Sequence, residues 1–519
     1  MDTQPTLLRS SAAQFDCDVL IVGAGLAGLF MALKLAPRPC VLISAAPLGK
    51  ASSSAWAQGG LAAALDPEDS PEEHASDTIA AGAGLVDPAI AHLIAEEGPA
   101  RVMDLLELGV PFDRTPEGSL SLSLEAAHSR PRVARVAGDL AGKAIIDALV
   151  TAVYAADHIK ITDGVRAVGL LQSNTGSITG VALRDHDGNI DSMTARETVL
   201  CTGGSGGLFA VTTNPRAARG DALAMAYDCG AVIADPEFVQ FHPTAMDFGR
   251  DPSPLATEAL RGDGAILLDR SGRQFMQDYH QLGELAPRDE VARAIHFERA
   301  AGRGAFLDCR EAVGNEFPHH FPTVFTACEV SGLDPRVSPI PVAPAAHYHM
   351  GGVVADIWGR SSLTGLSVCG ECSSTGAHGG NRLASNSLLE AVVFAHRIAA
   401  RLRDETLSDK ENDLGETLVP NDLAGEATKQ IRHSMAGNCG VVRNAAGLNQ
   451  TLTLIDELTG QHGPARTLTA ASLIVYAALA REESRGGHYR TDFLESDKTI
   501  RRTFLTKGDN GPRISETSL

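Results

Sequence analysis

Apolar residues near the N-terminus occur in short unbroken runs separated by a glycine-rich turn. Residues 18–22 form a run typical of a buried strand, residues 23–28 contain three glycines, and residues 26–35 have the pattern of a helix. A second apolar run, at residues 41–44, predicts the next strand. Strand, turn, helix and strand in this order indicate a βαβ unit and therefore a parallel sheet.

Later parts of the chain have different patterns. Residues 1–15 are expected to form a loose tail, residues 88–108 are predicted to be helical, and residues 162–199 have the turn-rich pattern of β-structure. Beyond about residue 424 the pattern is helical again. The last long helix is predicted to bury one face at three- and four-residue spacing, made of Leu468, Ala471, Val475, Leu479 and Glu482.

The segment DVLIVGAGLAGL places Gly23, Gly25 and Gly28 in the spacing G-x-G-x-x-G between the first predicted strand and helix. Such glycines permit a tight turn and let the pyrophosphate of a dinucleotide approach the helix N-terminus. The acidic ribose ligand expected about 20 residues later is missing, because the second strand ends at Ser44 and the next acidic residue is Asp66. The motif therefore predicts a dinucleotide site other than a standard NAD site. The pattern still allows an FAD site in which a side-chain hydroxyl or backbone groups of the protein contact the ribose. The alternative is a purely structural turn.

Two further glycine-rich stretches suit a long cofactor such as FAD. Residues 202–207, TGGSGG, follow an apolar strand, although a turn between core elements is the alternative. The third stretch, residues 370–399, starts with GECSSTGAHGGN at the end of a strand. Within it Ser387 and Glu390 have the spacing of a capping box, which predicts a helix start aimed at the flavin ring. Cys369 and Cys372 have C-x-x-C spacing, but they end a strand and have no second cysteine pair. We therefore predict neither a redox nor a metal role for them.

The length of 519 residues predicts at least two domains, because single hydrophobic cores stop growing at roughly 250–300 residues. The predicted fold class is α/β: a Rossmann-like FAD-binding domain with an inserted α+β capping domain and a C-terminal helical domain. The FAD-binding domain is predicted over residues 1–235 and 346–410, the capping domain over 236–345 and the helical domain over 411–519. The prolines at positions 339, 341 and 344 are interpreted as the exit hinge of the capping domain.

Charge and cysteine content narrow the class of protein. The formal net charge of −20 argues against a nucleic-acid partner, which needs clustered Lys and Arg. Nine cysteines, an odd number in mostly apolar surroundings, indicate reduced thiols in a cytoplasmic protein. The uncharged run at residues 19–33 is too short to cross a bilayer, and Asp16 and Asp18 precede it where a signal peptide has basic residues. We expect neither a membrane segment nor a targeting segment.

Histidines and arginines recur in the segment assigned to the capping domain and just after it. His242, Thr257, Glu258, Arg288 and His347 stand in motifs that can bind carboxylates, for which Arg is suited by its paired N–H donors. From spacing alone, each of them is as well explained as an ordinary structural residue.

Long motifs carry a more specific signal. They are SSAWAQGGLAAAL, TTNPRAARGDALAMAY, EFVQFHPTAM, TEALRGDGAILL, GELAPRDEVARAI, PAAHYHMGG and HGGNRLASNSLLE. From about residue 16 to residue 492 the chain resembles the flavoprotein family of succinate dehydrogenases, fumarate reductases and L-aspartate oxidases. Its motifs are most similar to those of the L-aspartate oxidase branch.

The resemblance assigns roles to matching positions. It implies that dicarboxylate is bound by His242, Thr257, Glu258, His347 and Arg382. It implies catalytic roles for Arg288, at the lip of the capping domain, for His242, and for Glu125, which would face a substrate amine. It places FAD contacts at Gly23, Gly25, Leu26, Gly28, Ser44, Ser52, Ser53, Gln58, Gly59, Gly60, Thr202, Gly203, Gly204, Asp221, Glu371, Ser387 and Leu388. No metal ion is expected.

The implied function is oxidation of L-aspartate to iminoaspartate, with a hydride passed to FAD and oxygen or fumarate as reoxidant. This reaction is the first step of quinolinate and NAD biosynthesis. Because iminoaspartate is unstable in water, a quinolinate-forming synthase is the expected functional partner, and no nucleic acid or membrane is expected. The alternatives are the flavoprotein subunit of a respiratory succinate dehydrogenase or fumarate reductase, and a non-catalytic FAD-binding module. Ser53 and Glu125 both argue against the first alternative, and the complete dicarboxylate set argues against the second.

The first prediction concerns how FAD is attached. Respiratory relatives bind the flavin covalently through a His five residues before the Gln of A-Q-G-G, where this chain has Ser53. Because a hydroxyl cannot replace that imidazole, we expect noncovalent FAD, and acid precipitation should release all flavin absorbance into the supernatant. Yellow colour retained in the washed pellet would contradict this.

Overall fold

The computed structural model of the protein describes residues 6–8, 15–50, 52–407, 415–509 and 511–518. Its strands are β1 (Thr6–Leu8), β2 (Cys17–Val22), β3 (Cys40–Ser44), β4 (Leu61–Ala62), β5 (Leu122–Ser123), β6 (Val133–Ala134), β7 (Ile159–Asp163), β8 (Arg166–Gln172), β9 (Ile178–Arg184), β10 (Ile190–Leu200), β11 (Ile233–Ala234), β12 (Val239–Met246), β13 (Ile266–Leu268), β14 (Phe306–Asp308), β15 (Ile340–His349), β16 (Gly352–Val354), β17 (Leu366–Val368), β18 (Ser373–Ser374), β19 (Thr417–Val419), β20 (Arg501–Gly508) and β21 (Gly511–Ser518). Its α-helices are α1 (Leu26–Lys34), α2 (Pro71–Ala81), α3 (Pro88–Glu107), α4 (Ala141–Tyr154), α5 (Asp221–Asp228), α6 (Ala259–Gly262), α7 (Arg288–Ala300), α8 (Phe317–His320), α9 (Pro322–Val330), α10 (Asn386–Asp404), α11 (Gly425–Asn438), α12 (Ala445–His462) and α13 (Arg466–Ala480).

The largest sheet has the strand order β7-β3-β2-β10-β9-β8, and β17 also pairs with β10. Strands β7, β3, β2, β10 and β17 run parallel, whereas β8, β9 and β10 form an antiparallel meander. The predicted βαβ unit is confirmed in β2, α1 and β3. Both strands are largely buried, because helices cover the faces of a parallel sheet.

The helical and terminal predictions have mixed outcomes. The helix predicted at residues 88–108 is α3, and the last long helix is α13. Glu482 lies beyond α13, which ends at Ala480. The loose-tail prediction is wrong at β1, which pairs with β19 and sets Leu7 opposite Leu418. The rest of the predicted tail, apart from Phe15, lies outside the described residues, as do residues 408–414 around the predicted boundary at 410/411.

The capping region has its own antiparallel sheet, β12-β15-β14-β13, and its own apolar cluster, which includes Phe275, Phe317 and Ile340. The proposed proline hinge is wrong, because Pro341 and Pro344 lie inside β15 and the predicted boundary at 345/346 falls within the same strand. Pro344 is opposite the irregularity in β12 between His242 and Ala245. Its missing N–H is therefore tolerated where the ladder shifts. One strand thus runs unbroken from the capping region into the FAD-binding region.

The C-terminal region contains helices α11–α13, followed by a hairpin of β20 and β21 that sequence analysis did not predict. The hairpin joins a second sheet through pairing of β20 with β11. Arg481 lies at this junction with its side chain 4% exposed, and it bonds Glu237 Oε1 at 2.6 Å and Glu483 Oε1 at 2.7 Å. None of the helices in the described ranges is both long and apolar enough to cross a membrane.

The second prediction tests the buried charge cluster at this junction. Arg481→Leu leaves the carboxylate of Glu237, whose side chain is 0% exposed, without its cation. Removing one partner of a buried ion pair costs about 3–5 kcal/mol, so the midpoint of thermal unfolding with saturating FAD should fall by several degrees. In the control Arg501→Leu, the replaced arginine is 40% exposed and pairs with Asp497, and the midpoint should change little. Equal shifts in the two variants would contradict a special role for Arg481.

Candidate active site

A cavity of about 580 Å³ lies between the FAD-binding sheet and the capping sheet. It opens at the carboxyl ends of β2, β3 and β10, where open α/β sheets place their ligands. All three glycine-rich stretches reach its wall, and so do the predicted dicarboxylate residues His242, Thr257, Glu258, His347 and Arg382. Glu125 and Arg288 also line it, so one cavity contains both the predicted cofactor-binding residues and the predicted substrate-binding residues.

The first glycines have steric reasons for their identity. Gly23 has φ +113°, and a Cβ there would lie 2.3 Å from the carbonyl oxygen of Cys201. A Cβ at Gly28 would lie 1.9 Å from the carbonyl oxygen of Gly23. Gly28 is not on the cavity wall, so its placement supports close packing of α1 under the turn rather than the predicted cofactor contact.

The other residues predicted to contact FAD line the cavity: Gly23, Gly25, Leu26, Ser44, Ser52, Ser53, Gln58, Gly59, Gly60, Thr202, Gly203, Gly204, Asp221, Glu371, Ser387 and Leu388. The Ser44 hydroxyl donates to the Ala46 carbonyl at 2.5 Å, which leaves its oxygen free to accept from a ribose hydroxyl. The N–H of Leu26, in the first turn of α1, donates to Ser54 Oγ at 3.2 Å. Sequence analysis missed this contact of Ser54.

The cavity fits an extended polar cofactor. Among the described residues, Gln58 Oε1 and Thr202 Oγ1 are buried polar atoms without a hydrogen-bond partner. Gly203 has φ +77° and open space where a Cβ would point. Burial raises the pKa of Glu371 to about 7, while the N–H of His349 donates to its carboxyl group at 2.9 Å. Unpaired buried polar atoms and accessible backbone along the cavity wall suit the polar chain of FAD.

The predicted capping box is wrong. The residue before α10 is Ser385, and the Ser387 hydroxyl accepts a hydrogen bond from Arg382 at 2.9 Å. Glu390 is buried and accepts from Thr375 at 2.6 Å, so its carboxylate turns away from the helix start. Cys369 and Cys372 are free and buried, and burial raises the pKa of Cys372 to about 12. Such a thiol stays protonated, which is consistent with the prediction that this pair has no redox role.

Gln240, on β12, lies between the two arginines of the site. Its Oε1 accepts from Arg288 at 3.2 Å and from Arg382 at 3.0 Å, and its Nε2 donates to Asn381 at 2.9 Å. Two positively charged guanidinium groups therefore donate to the same neutral amide oxygen. Sequence analysis did not place Gln240 in the site, although it is two residues from His242. That spacing puts both on one face of a strand, which is the signal that could have found it.

Glu258 balances the arginines from the capping side. Its carboxylate contacts Arg288 through Nε at 2.6 Å and Arg261 through an Nη–Oε1 contact of 2.9 Å. Burial opposes ionisation, but Arg288 and Arg261 hold the pKa of Glu258 below its ordinary value. Glu258 is therefore ionised, and the arginine that sequence analysis missed, Arg261, completes an ion-pair chain.

The two histidines meet edge to face, with ring centroids 5.1 Å apart. Burial and nearby arginines hold the pKa of both His242 and His347 well below the ordinary value, so both rings are neutral. The N–H of Thr244 donates to Nδ1 of His242 at 3.3 Å, which leaves the proton on Nε2 as a donor. Nδ1 of His347 bonds the hydroxyl of Thr213 at 2.8 Å.

Glu125 is the acidic group in the middle of this basic site. It is 6% exposed, and its carboxylate accepts a hydrogen bond from Ser385 at 2.9 Å. Burial and the charge of Glu258 raise its pKa, whereas Arg288, Ser385 and Arg382 lower it. The balance is upward, so Glu125 would gain from a cationic partner.

Taken together, the wall combines donors for two carboxylates with one acceptor for an ammonium group. Within the described ranges no group of three His, Cys, Asp or Glu side chains has an arrangement that could hold a metal ion.

Comparisons with known proteins identify the family of the chain. A family model described as an FAD binding domain matches residues 18–388, and one described as fumarate reductase flavoprotein C-term matches residues 464–517. An L-aspartate oxidase of Caulobacter vibrioides is 54% identical over 95% of this chain and 97% of its own length. An L-aspartate oxidase of Mesorhizobium japonicum is 46% identical over 94% of each chain.

A solved structure gives the same architecture. The E. coli quinol fumarate reductase FrdA superposes with a TM-score of 0.89 at 28% identity, covering 97% of this chain and 96% of its own. This superposition confirms the predicted fold class. Because curated relatives align along nearly the whole length and the matched domain contains the glycine-rich cavity, the chain belongs to the L-aspartate oxidase family of FAD-dependent flavoproteins.

Proposed function

We propose that this enzyme oxidises L-aspartate to iminoaspartate in the cavity between the FAD-binding and capping sheets. The observation that carries the proposal is the position of the Glu125 carboxylate among donors suited to two carboxylates. Succinate and fumarate have two carboxylates but no amine. Aspartate has both, so it can pair with the arginines through its carboxylates and with Glu125 through its ammonium group.

Arg382, His347, His242 and Thr257 are proposed to bind the two substrate carboxylates. Arg382 can offer paired N–H donors, and the neutral His242 can donate from Nε2. Arg288 and Arg382 attract the two substrate carboxylates, and burial strengthens that attraction by excluding water. The substrate carboxylates therefore compensate positive charge that Glu258 compensates only in part, since Gln240 is neutral.

Glu125 is proposed to pair with the substrate ammonium group and to help remove its proton. In this site a lone ammonium would be costly to desolvate without a carboxylate beside it. The raised pKa of Glu125 makes it a better proton acceptor than an exposed carboxylate.

Arg288 is proposed to place positive charge beside the reacting carbons. It begins α7, and its ion pair with Glu258 fixes the guanidinium in the cavity wall. Because these contacts already fix the guanidinium, it can stabilise charge that develops on the substrate without moving during the reaction.

FAD, when bound, would supply the acceptor for the Cα hydride, with oxygen or fumarate as the reoxidant. The proposed contacts are the cavity-lining residues of the three glycine-rich stretches, with Glu371, Ser387 and Leu388 nearby. Ser53 on the wall supports noncovalent attachment.

The product defines the expected partner. Iminoaspartate hydrolyses in water, so we propose functional coupling to a quinolinate-forming synthase, in the first step of NAD biosynthesis. A cytoplasmic location is proposed on the nine free cysteines, since reduced thiols are typical of that compartment.

A fumarate reductase or succinate dehydrogenase flavoprotein subunit is the second candidate, favoured by the shared architecture. The purified chain with FAD should discriminate between the two. L-aspartate should bleach the flavin under nitrogen and yield hydrogen peroxide in air. Bleaching by succinate but not by aspartate would overturn the proposal.

The third prediction concerns Arg288. Arg288→Leu should bind FAD normally but lose at least ~10²-fold in fumarate reduction, because charge beside the reacting carbons is no longer stabilised. Arg310→Leu is the control, since Arg310 is 44% exposed on the capping region and pairs with Asp308. A rise in KM with kcat nearly unchanged would instead assign Arg288 to cap closure alone.

The fourth prediction concerns Glu125. Glu125→Gln keeps the shape but removes the charge, so kcat/KM for aspartate should fall by roughly 5- to 150-fold, equivalent to about 1–3 kcal/mol. Fumarate reduction, which involves no amine, should change much less. The exposed Glu117 on the same segment provides the matched control Glu117→Gln. Equal losses in the two reactions would show that Glu125 only braces its loop.

A further inference from the structure

Ser385 has an unusual backbone conformation at the edge of the cavity. It precedes α10 with φ 61° and ψ −2°, in the left-handed region that non-glycine residues rarely adopt. Such a conformation is strained and persists where the surrounding structure imposes it. Residues held in this way cluster at functional sites, which points to a function for the Ser385 side chain.

The hydroxyl of Ser385 is not used by its own helix. Serine before a helix usually accepts a hydrogen bond from a first-turn N–H, but the Ser385 side chain makes no such bond. Its Oγ instead donates to Oε2 of Glu125 at 2.9 Å, across 260 residues of sequence. A simple capping role therefore does not explain the serine.

The Glu125 carboxylate has few other neighbours that could orient it. Among the described residues, Ser385 alone donates a hydrogen bond to it. Gly59 packs against the pair: a Cβ there would lie 2.9 Å from Glu125 Oε1 and 3.0 Å from Ser385 Oγ. The backbone at Gly59 thus closes one side of the pair, and Oε2 is held by Ser385.

We propose that Ser385 is a positioning residue that orients the Glu125 carboxylate, leaving Oε1 for the substrate ammonium group, and so sets the preference for amino dicarboxylates. The inference rests on the proposed function, in which Glu125 pairs with that ammonium. One hydroxyl proton can serve one oxygen at a time, so the bond to Oε2 distinguishes the two carboxylate oxygens. Fumarate has no ammonium group and does not need this orientation.

The charges around Glu125 give the inference a pH signature. Arg288, Arg382 and Glu258 are the charged groups that act on it, and the Ser385 bond favours its ionised form. Losing that bond raises the pKa of Glu125. Because the ammonium pairs with the ionised carboxylate, the acid limb of kcat/KM for aspartate moves to higher pH.

Two variants separate positioning from folding. Ser385→Ala removes the hydroxyl but keeps a side chain in the left-handed conformation. Ser385→Gly also removes it and relieves the backbone strain, so the protein should be at least as stable as the alanine variant. Each should lose about 10-fold or more in kcat/KM for aspartate, keep FAD, and change fumarate reduction by less than about 3-fold.

Ser367→Ala is the matched control, because Ser367 is a fully buried serine that donates to a carboxylate, Glu197 Oε1 at 2.6 Å, without lining the cavity. It should not change the ratio of the two activities. A Glu125→Gln/Ser385→Ala double variant should lose little beyond Glu125→Gln alone, because both changes remove one interaction.

The outcomes distinguish the inference from the proposed function. A selective aspartate loss in Glu125→Gln, with Ser385→Ala and Ser385→Gly unchanged, would overturn the role of Ser385 but leave that of Glu125. Losses that multiply in the double variant, or fall equally on both substrates, would also overturn it. No selective loss in Glu125→Gln would overturn both.

Discussion

Two guanidinium groups, those of Arg288 and Arg382, converge on one side-chain oxygen in a cavity that buries both of them. Two guanidinium groups that donate to the same oxygen repel each other, and exclusion of water from the buried site strengthens this repulsion. The arrangement is held because Gln240 Oε1 accepts from both arginines and Glu258 pairs with Arg288. Much of the site geometry follows from this constraint.

The same constraint joins the two main parts of the molecule. Gln240, Glu258 and Arg288 belong to the capping side, on β12 and around α6 and α7, whereas Arg382 precedes α10 of the FAD-binding region. The unbroken β15 brings His347 to the same wall. The cavity charges are therefore balanced only when cap and nucleotide-binding sheet are in place, which links the electrostatics of the site to the packing of the domains.

Within this basic site, the two acidic groups Glu258 and Glu125 differ in their neighbours and therefore in the direction of their pKa shifts. Glu258 has two arginine partners, and its pKa is lowered. Glu125 has one serine partner, and its pKa is raised. In the proposed function the substrate carboxylates pair with the arginines and its ammonium group pairs with Glu125. Glu258 thus holds an arginine in place, whereas Glu125 is left for the substrate.

Much of this could be predicted from the sequence. The glycine spacing and flanking apolar runs determined the βαβ unit and the dinucleotide site, because the turn between strand and helix needs a backbone conformation, φ +113° at Gly23, that favours glycine. The family motifs identified the residues that meet at the cavity, and Ser53 excluded a histidine link to the flavin. The local pattern gave a wrong prediction at Glu390, which has capping-box spacing. Its carboxylate instead bonds the buried side chains of Thr375 and His378.

Only the tertiary structure decided which side chains act on one another. The predicted proline hinge is a strand, because Pro344 falls where the β12–β15 ladder shifts. The role of Gln240 depends on two arginines from different regions, and that of Ser385 on a residue 260 positions away. Hydrogen bonds are directional and short in range, so pairing across the chain is set by how sheets and helices pack. The sequence by itself determined the cofactor site and the set of reactive groups, and the packing determined their orientation and charge.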